Sequence, residues 1–243
     1  MSRRKKNYQK LKPTKEVGRE PTYLKTKLSA RTLGQKEYIK AIEENKLIIC
    51  VGPAGSGKSH IAVAKAIHGL YNNQYDKIVI TRPLVQAGED TGFLPGDINN
   101  KLKPYLQPIY DEMCHYISFT DIKRWLNEEI IEIIPLAYMR GRNFHHSFVI
   151  ADECQNASEK QLFMLVTRYC IGSKFVLTGD YTQSDLPHHK CGGLKSLASY
   201  ITEVPNSEVI KLTESDIVRD QLVEDIVQAR KEFHAKEHEE LGT

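Results

Sequence analysis

A glycine-rich stretch, GPAGSGKS at residues 52–59, stands between an apolar run and a segment of helical period. The run before it is LIICV (47–51), and the segment after it is IAVAKAIHGL (61–70). In a strand, loop and helix of this kind the glycines let backbone N–H groups point inward, and the helix dipole favours phosphate oxygens. Because the spacing GxxxxGK[ST] and its structural context are both present, the sequence predicts a phosphate-binding loop here.

Two side chains of this loop have predicted roles. Lys58 is expected to reach the β and γ phosphates of a nucleotide as a point charge, and the Ser59 hydroxyl is expected to ligate Mg²⁺. The predicted nucleotide-binding residues of this region are Gly52, Pro53, Ala54, Gly55, Ser56, Gly57, Lys58, Ser59 and His60.

Two neighbouring carboxylates, Asp152 and Glu153, end the apolar run FVIA (148–151). Charges at the mouth of a buried strand are costly unless they hold a cation or take part in chemistry. We expect this strand to lie next to the strand before the loop, with Asp152 ligating the same Mg²⁺ as Ser59 through water. Glu153 is then free to orient or deprotonate a water that attacks the γ phosphate. The alternative is that the two acids cap the next helix, but Asn156 or Ser158 is a better cap than either of them.

Apolar runs of strand length alternate with segments of helical period from Leu28 onward. This pattern indicates a doubly wound α/β fold, in which helices cover both faces of a mainly parallel sheet and ligands bind at the carboxyl ends of the strands. A long polar loop, of the kind that is usually functional, is expected at 83–103. We expect one domain over residues 28–243, with strands at 47–52, 77–82, 129–135, 147–152, 174–180 and 208–212 and helices at 33–44, 58–71, 104–117, 120–127, 158–170, 192–200 and 215–235.

The segment 1–27 is strongly basic, with ten Lys or Arg against two Glu, whereas the whole chain carries a net charge of +3. We expect a flexible arm that neutralises nucleic-acid phosphates, and a solubilising tail is the alternative. The chain has no apolar run of membrane-spanning length, and its five cysteines form no CxxC pair. These features predict a soluble cytoplasmic protein with no membrane partner.

Five motifs of the chain occur in the order found in one known family. DECQN (152–156) resembles the DEAQN box of superfamily 1 helicases, with Cys where Ala is usual. The other motifs are TRPLVQAGEDTGFLPGD (81–97), PLAYMRGRNF (135–144), TGDYTQSDLP (178–187) and DIVRDQLV (216–223). Together they resemble the PhoH-like ATPase family. The resemblance implies a RecA-like P-loop core and ATP as the nucleotide.

The resemblance also implies roles for three further residues. Gln35 matches a glutamine that reads adenine by paired hydrogen bonds, and a surface-helix glutamine is the alternative. Gln183 matches the helicase glutamine that senses the γ phosphate, beside Thr178 and Asp180. Arg82 ends a strand at which helicases contact nucleic acid, and a structural ion pair is an equally good interpretation.

Charge that develops on the transferred phosphoryl group calls for an arginine, from the same chain or from a neighbouring subunit. The candidates are Arg140, Arg142 and Arg219. Arg219 has the position of the family's late arginine, but Asp220 stands where the family commonly has His. Translocating superfamily 1 enzymes have two RecA-like domains, and this chain has length for one. We therefore expect a head-to-tail homo-oligomer, with a hexameric ring as the leading arrangement.

Taken together, these features predict a Mg²⁺-dependent ATPase acting on, or stimulated by, RNA or single-stranded DNA. The predicted catalytic residues are Lys58, Glu153, Gln183 and Arg219. The alternatives are a nucleotide-gated nucleic-acid-binding module with negligible turnover and a small-molecule kinase on the same scaffold. Two adjacent acids disfavour the kinase, because they suit the activation of water, which a kinase must exclude.

Overall fold

The computed structural model of the protein describes residues 26, 28–83, 107–184, 192–218, 222–223, 225–226 and 229. The basic arm expected at 1–27, apart from Thr26, and the loop expected at 83–103, apart from Pro83, lie outside these ranges. Most of the helix expected at 215–235, including Arg219, also lies outside them. Within the described ranges, no helix is long and apolar enough to cross a membrane.

Six strands form one sheet in which all neighbouring strands are parallel. Each predicted strand is found, with its ends shifted by at most two residues. The strands are β1 (Leu47–Val51), β2 (Lys77–Thr81), β3 (Ile131–Ile133), β4 (Ser147–Ala151), β5 (Lys174–Gly179) and β6 (Ser207–Lys211). All residues of β4 and β5 are buried, because helices cover both faces of these strands.

The main helices begin close to their predicted positions. The hydroxyl of Thr32 caps the first helix by accepting a hydrogen bond from Gln35 N, and Ser158 forms a capping box with Gln161. The helices are α1 (Leu33–Glu44), α2 (Lys58–Tyr71), α3 (described over 107–114), α4 (Phe119–Asn127), α5 (Glu159–Val166) and α6 (Gly193–Ile201).

Two apolar clusters cover the two faces of the sheet. One cluster includes side chains of α1, α2 and α4, and the other includes side chains of α5 and α6. Successive residues of β4 alternate between them: Phe148 and Ile150 lie in the first, and Val149 and Ala151 lie in the second. The prediction of a doubly wound α/β fold is therefore confirmed.

One expectation about the sheet is wrong. The order across the sheet is β3-β2-β4-β5-β1-β6, so β5 lies between β4 and the strand before the loop. The run KFVLTG of β5 has a short apolar centre, as its neighbours do, and such a pattern does not specify which strands pair. Register pairs Val51 with Gly179, Thr81 with Ala151 and Ala151 with Leu177, so β1 and β5 end together and extend beyond the ends of β2 and β4. Asp152 thus meets the loop helix across the end of β5.

Candidate nucleotide and metal site

The loop 52–57 turns from the end of β1 into the start of α2. Gly55 (φ 82°) and Gly57 (φ 87°) both have left-handed backbone conformations, which favour glycine. Gly52 is needed for space, since a Cβ there would lie 2.7 Å from the backbone oxygen of Leu212. Because α2 begins at Lys58, its unbonded N–H groups lie next to the loop, which is the arrangement that binds phosphate.

The carbonyl groups of the loop accept hydrogen bonds from distant parts of the chain. Gln35 Nε2 donates to Ser56 O (3.1 Å), and Tyr38 Oη donates to Lys58 O (3.3 Å). The backbone N–H of Val218 donates to Gly55 O (3.1 Å). Donors from α1 and from the segment after β6 therefore hold the loop by bonding its carbonyl oxygens. This arrangement suits a site that binds anions through its backbone N–H groups.

Gln35 is 6% exposed, so the alternative of a surface-helix residue is wrong. Its Oε1 accepts a hydrogen bond from Arg31 N (2.9 Å), and its Nε2 lies 3.5 Å from Asp216 O. The Asp216 carboxylate in turn accepts from Thr32 Oγ1 (2.6 Å) and Thr213 N (2.9 Å). Gln35 thus belongs to a network that joins α1 to the loop, and its role toward adenine stays a prediction.

The Lys58 amine donates to two carbonyl oxygens of its own loop, Gly52 O (2.7 Å) and Pro53 O (2.8 Å). Burial lowers the pKa of Lys58, while nearby groups that include the acidic side chains of the site act in the opposite direction. An ionised phosphate oxygen is a stronger acceptor for this amine than a neutral carbonyl. The position of Lys58 is therefore consistent with its predicted role.

Asp152 follows β4 directly and is 2% exposed. Its Oδ1 accepts hydrogen bonds from Ser59 Oγ (2.7 Å) and from Thr178 Oγ1, and its Oδ2 accepts from Nε (3.0 Å) and Nη2 of Arg82. Burial alone would raise the pKa of Asp152. The charge of Arg82 and these hydrogen bonds outweigh burial and hold the pKa below its ordinary value. Asp152 is thus an ionised carboxylate bonded to residues of α2 and β5 and to the residue after β2.

Arg82 forms the ion pair with Asp152 that is one of its two expected roles. Its side chain is 16% exposed, and its backbone oxygen accepts a hydrogen bond from Leu136 N (3.1 Å). Arg82 therefore connects the end of β2 with both the acidic site and the segment after β3. Its contact with nucleic acid stays a prediction.

Glu153 has a left-handed backbone conformation (φ 57°), which is uncommon for a residue other than glycine. Such conformations cost on the order of 1 kcal/mol and persist where surrounding contacts hold them. The Glu153 side chain accepts a hydrogen bond from Gln155 Nε2 (2.6 Å). Beside it, Asp180 Oδ2 is buried and has no hydrogen-bond partner in the part of the chain that the structure describes. Glu153 and Asp180 thus add carboxylates to the Asp152 end of the site.

These groups line one cavity of about 480 Å³, which is of the size that binds small molecules. The loop residues Gly52, Pro53 and Ser56 do not contribute to its lining, and Ser56 is fully buried. Ten of the predicted site residues do: Gln35, Ala54, Gly55, Gly57, Lys58, Ser59, His60, Asp152, Glu153 and Gln183.

Two of the three candidate arginines, Arg140 and Arg142, lie elsewhere. Arg142 Nη2 donates to Glu132 Oε2 (2.6 Å) in β3, at one edge of the sheet, and Arg140 is exposed. Neither lines the cavity, and Arg219 falls outside the described residues. Within the described ranges, the only arginine in the cavity wall is Arg31.

Three residues that line the cavity were not predicted from the sequence, because they belong to none of its recognised motifs. They are Arg31, Glu112 and His115. His60 Nδ1 lies 2.7 Å from Glu112 Oε2, and His60 Nε2 lies 2.6 Å from Tyr116 Oη. These two contacts join α2 to α3 and to the residues after α3. Glu112 lies 52 positions after His60 in the chain. No local sequence signal predicts a contact between residues so far apart.

The site fits a hydrated Mg²⁺. The Ser59 hydroxyl and the ionised Asp152 carboxylate are the oxygen ligands that Mg²⁺ prefers, and they already lie within hydrogen-bond distance of each other. In the described ranges, no group of three or more His, Cys, Asp or Glu side chains could hold a metal ion. A hydroxyl and one carboxylate suffice for Mg²⁺, because this ion keeps several of its waters.

Replacing Arg82 with Gln should lower the free energy of unfolding by roughly 3 kcal/mol at neutral pH, because the buried Asp152 charge loses its cationic partner. Arg82 holds the pKa of Asp152 below its ordinary value of 3.8, so this stabilisation is complete at neutral pH and is lost as the pH falls below 3.8. Urea unfolding at neutral pH and at about pH 3 measures the difference.

The control for this experiment is Lys40→Gln, which removes an exposed cation paired with Glu44 and should have no measurable effect at either pH. A difference between Arg82→Gln and wild type that does not change with pH would contradict the ionic explanation.

A family model described as "PhoH-like protein" matches residues 27–231 of the chain. A PhoH-like protein of Synechocystis sp. is 44% identical over 200 residues, which are 82% of this chain and 61% of that protein. Protein PhoH of Escherichia coli is 41% identical over 195 residues, which are 79% of this chain and 55% of that protein. The chain therefore spans less than two thirds of the length of these relatives.

Two solved structures are similar to the chain at lower sequence identity. The UvsW helicase from bacteriophage T4 gives a TM-score of 0.48 at 17% identity, covering 81% of this chain and 65% of that chain. The SWI2/SNF2 ATPase core of Sulfolobus solfataricus, solved in complex with dsDNA, gives a TM-score of 0.46 at 14% identity. This match covers 80% of this chain and 46% of that chain. The family assignment depends on the sequence relatives and not on these two structures.

The six-stranded parallel sheet, with the phosphate-binding loop after β1 and the acidic pair after β4, is a RecA-like P-loop core. The family model covers most of the chain, and the sequence relatives share one family name. The chain belongs to the PhoH-like protein family.

Proposed function

We propose that the protein is a Mg²⁺-dependent ATPase whose turnover is stimulated by RNA or single-stranded DNA. The observation that carries the ATPase proposal is the hydrogen bond between Ser59 and Asp152, which places a hydroxyl and an ionised carboxylate together at the phosphate-binding loop. Glu153 takes no part in that pair and lines the same cavity. A site with this additional carboxylate suits the activation of water.

In the proposed reaction, the loop N–H groups and Lys58 bind the β and γ phosphates, and Ser59 and Asp152 hold Mg²⁺. When bound, Mg²⁺ would neutralise charge on the phosphate oxygens. Glu153 accepts a proton from a water whose oxygen forms a bond to the γ phosphorus, while the bond from that phosphorus to the ADP oxygen breaks. Gln183, in the wall of the same cavity, orients the γ phosphate or the water.

Two features support stimulation by a nucleic acid. Arg82 bonds Asp152 and directly precedes the segment 83–103, so this segment is joined along the chain to a residue that contacts the proposed metal site. The basic segment 1–27 supplies charge for phosphates, and its contribution would be independent of sequence and sensitive to salt.

The position of the arginines supports assembly into a homo-oligomer. Arg140 is exposed and does not line the nucleotide cavity of its own subunit. Arg142 is ion-paired with Glu132 and does not line that cavity either. Developing charge on a phosphoryl group is stabilised by an arginine in many enzymes of this chemistry. We therefore propose a head-to-tail ring, with six subunits as the leading arrangement, in which Arg140, Arg142 or Arg219 reaches the cavity of a neighbour.

Replacing Lys58 with Ala should reduce phosphate release from ATP by about 100-fold or more, because the charge that meets the β and γ phosphates is removed. Lys160→Ala, at an exposed position of α5, is the matched control and should hydrolyse ATP like wild type. Malachite-green detection of phosphate measures turnover, and circular dichroism checks that both variants are folded. Wild-type turnover in Lys58→Ala would refute the assignment of this site.

Deleting residues 1–27 should leave basal ATP hydrolysis in place and reduce its stimulation by RNA or single-stranded DNA, most strongly at low salt. A full-length variant with Gln at the ten basic positions of this segment should behave like the deletion, which separates charge from length. Phosphate release with each nucleic acid at two salt concentrations is the measurement. Nucleic-acid binding without turnover would instead favour the nucleotide-gated module, and transfer of phosphate to a small acceptor would favour the kinase.

If one of the three arginines acts between subunits, the variant of that arginine should be inactive alone but should recover turnover when mixed with Lys58→Ala. In such a mixture one subunit supplies an intact nucleotide site and its neighbour supplies the arginine. Arg140→Ala, Arg142→Ala and Arg219→Ala are tested in turn, and light scattering with and without ATP gives the mass of the assembly. A monomer with full turnover would exclude this arrangement.

A further inference from the structure

Gln155 is 6% exposed and lies in the short 3₁₀ turn Cys154–Asn156, directly after the acidic pair. Its side-chain amide makes two hydrogen bonds of opposite direction. Nε2 donates to Glu153 Oε2 (2.6 Å), and Oε1 accepts from the backbone N–H of Asp180 (3.0 Å). Because an ionised carboxylate only accepts hydrogen bonds and a backbone N–H only donates, a single orientation of the amide satisfies both partners.

Two further contacts tie Gln155 to the turn after β5. Ser184 Oγ donates to the backbone oxygen of Gln155 (3.1 Å). Gly179 leaves room for the amide, since a Cβ at that position would lie 2.8 Å from Gln155 Oε1. The turn between these contacts contains Gln183, which lines the cavity together with Glu153. Gln155 therefore bonds to both segments that bring these two side chains to the site.

We propose that Gln155 is a positioning residue for hydrolysis, which holds the Glu153 carboxylate and the turn 180–183 as one unit. This inference rests on the proposed ATPase function, in which Glu153 activates water and Gln183 meets the γ phosphate. Glu153 requires such support because its left-handed backbone conformation is unfavourable by itself. Without Gln155 the carboxylate is retained but its position is not, and a displacement of about 1 Å can lower a rate by about 100-fold.

Two substitutions separate the two hydrogen bonds. Gln155→Leu removes both of them, whereas Gln155→Glu keeps an acceptor for Asp180 N and removes the donor to Glu153. Gln74→Glu, at an exposed position in the turn after α2, is the control for the added charge. We expect kcat to fall by about 10- to 100-fold in both Gln155 variants and to stay unchanged in the control.

The affinity for nucleotide distinguishes positioning from a loss of the binding site. KM for ATP and the Kd of a fluorescent ADP analogue should change by less than about twofold in both Gln155 variants, because the phosphate-binding loop is not altered. A large rise in KM with unchanged kcat would overturn the proposal.

A double-mutant cycle tests whether Gln155 acts through Glu153. In a Glu153→Gln background, adding Gln155→Leu should cause little further loss of kcat, because the carboxylate that Gln155 positions is already absent. If the two losses multiply, Gln155 supports the structure but does not position Glu153, and the proposal is wrong.

Backbone hydrogen exchange tests the contact independently of turnover. Asp180 N–H should exchange faster in Gln155→Leu than in wild type, and Gln155→Glu should retain protection because its carboxylate still accepts that bond. Equal protection in all three proteins would overturn the proposed tie even where hydrolysis is normal. Conversely, a wild-type protein without ATP hydrolysis would refute the proposed function, while exchange would still decide whether Gln155 holds the turn.

Discussion

The buried carboxylate of Asp152 is the group around which the site is built. A charge with 2% exposure is very costly unless it is paired and hydrogen-bonded, and Asp152 meets this requirement through Ser59, Thr178 and Arg82. Its partners come from α2, from β5 and from the end of β2, so one ionised group holds three elements at the same edge of the sheet. The same bonds keep the carboxylate ionised and oriented, which is the state that a Mg²⁺ site requires.

Apart from Asp152 and its three partners, the site consists of groups that tertiary contacts hold in place. The loop carbonyls are bonded by α1 and by the segment after β6, and the left-handed backbone of Glu153 is accompanied by a hydrogen bond to Gln155. Strained residues of this kind persist where their surroundings over-determine them, and they are common at functional sites. The cavity therefore has a fixed set of donors and acceptors before a ligand enters it.

Much of the fold and part of the site could be predicted from local sequence. The strands and helices were predictable because continuous apolar runs and helical periods report burial directly. The loop 52–59 was predictable because its glycines and its Lys and Ser are constrained by backbone geometry and by phosphate chemistry. The position of β5 was not, since β1, β4 and β5 have similar apolar runs and pair equally well by pattern.

By itself the sequence determined the class of fold, the phosphate-binding loop and the acidic pair, since each depends on neighbouring residues and their intrinsic geometry. The tertiary structure decided which partners those residues have. It pairs Arg82 with Asp152, buries Gln35 against the loop, brings Glu112 to His60, and places Gln155 between Glu153 and Asp180. These contacts, apart from the one between Gln155 and Glu153, join residues at least 21 positions apart. They form only when the parallel sheet brings the ends of its strands together, and no local periodicity encodes that juxtaposition.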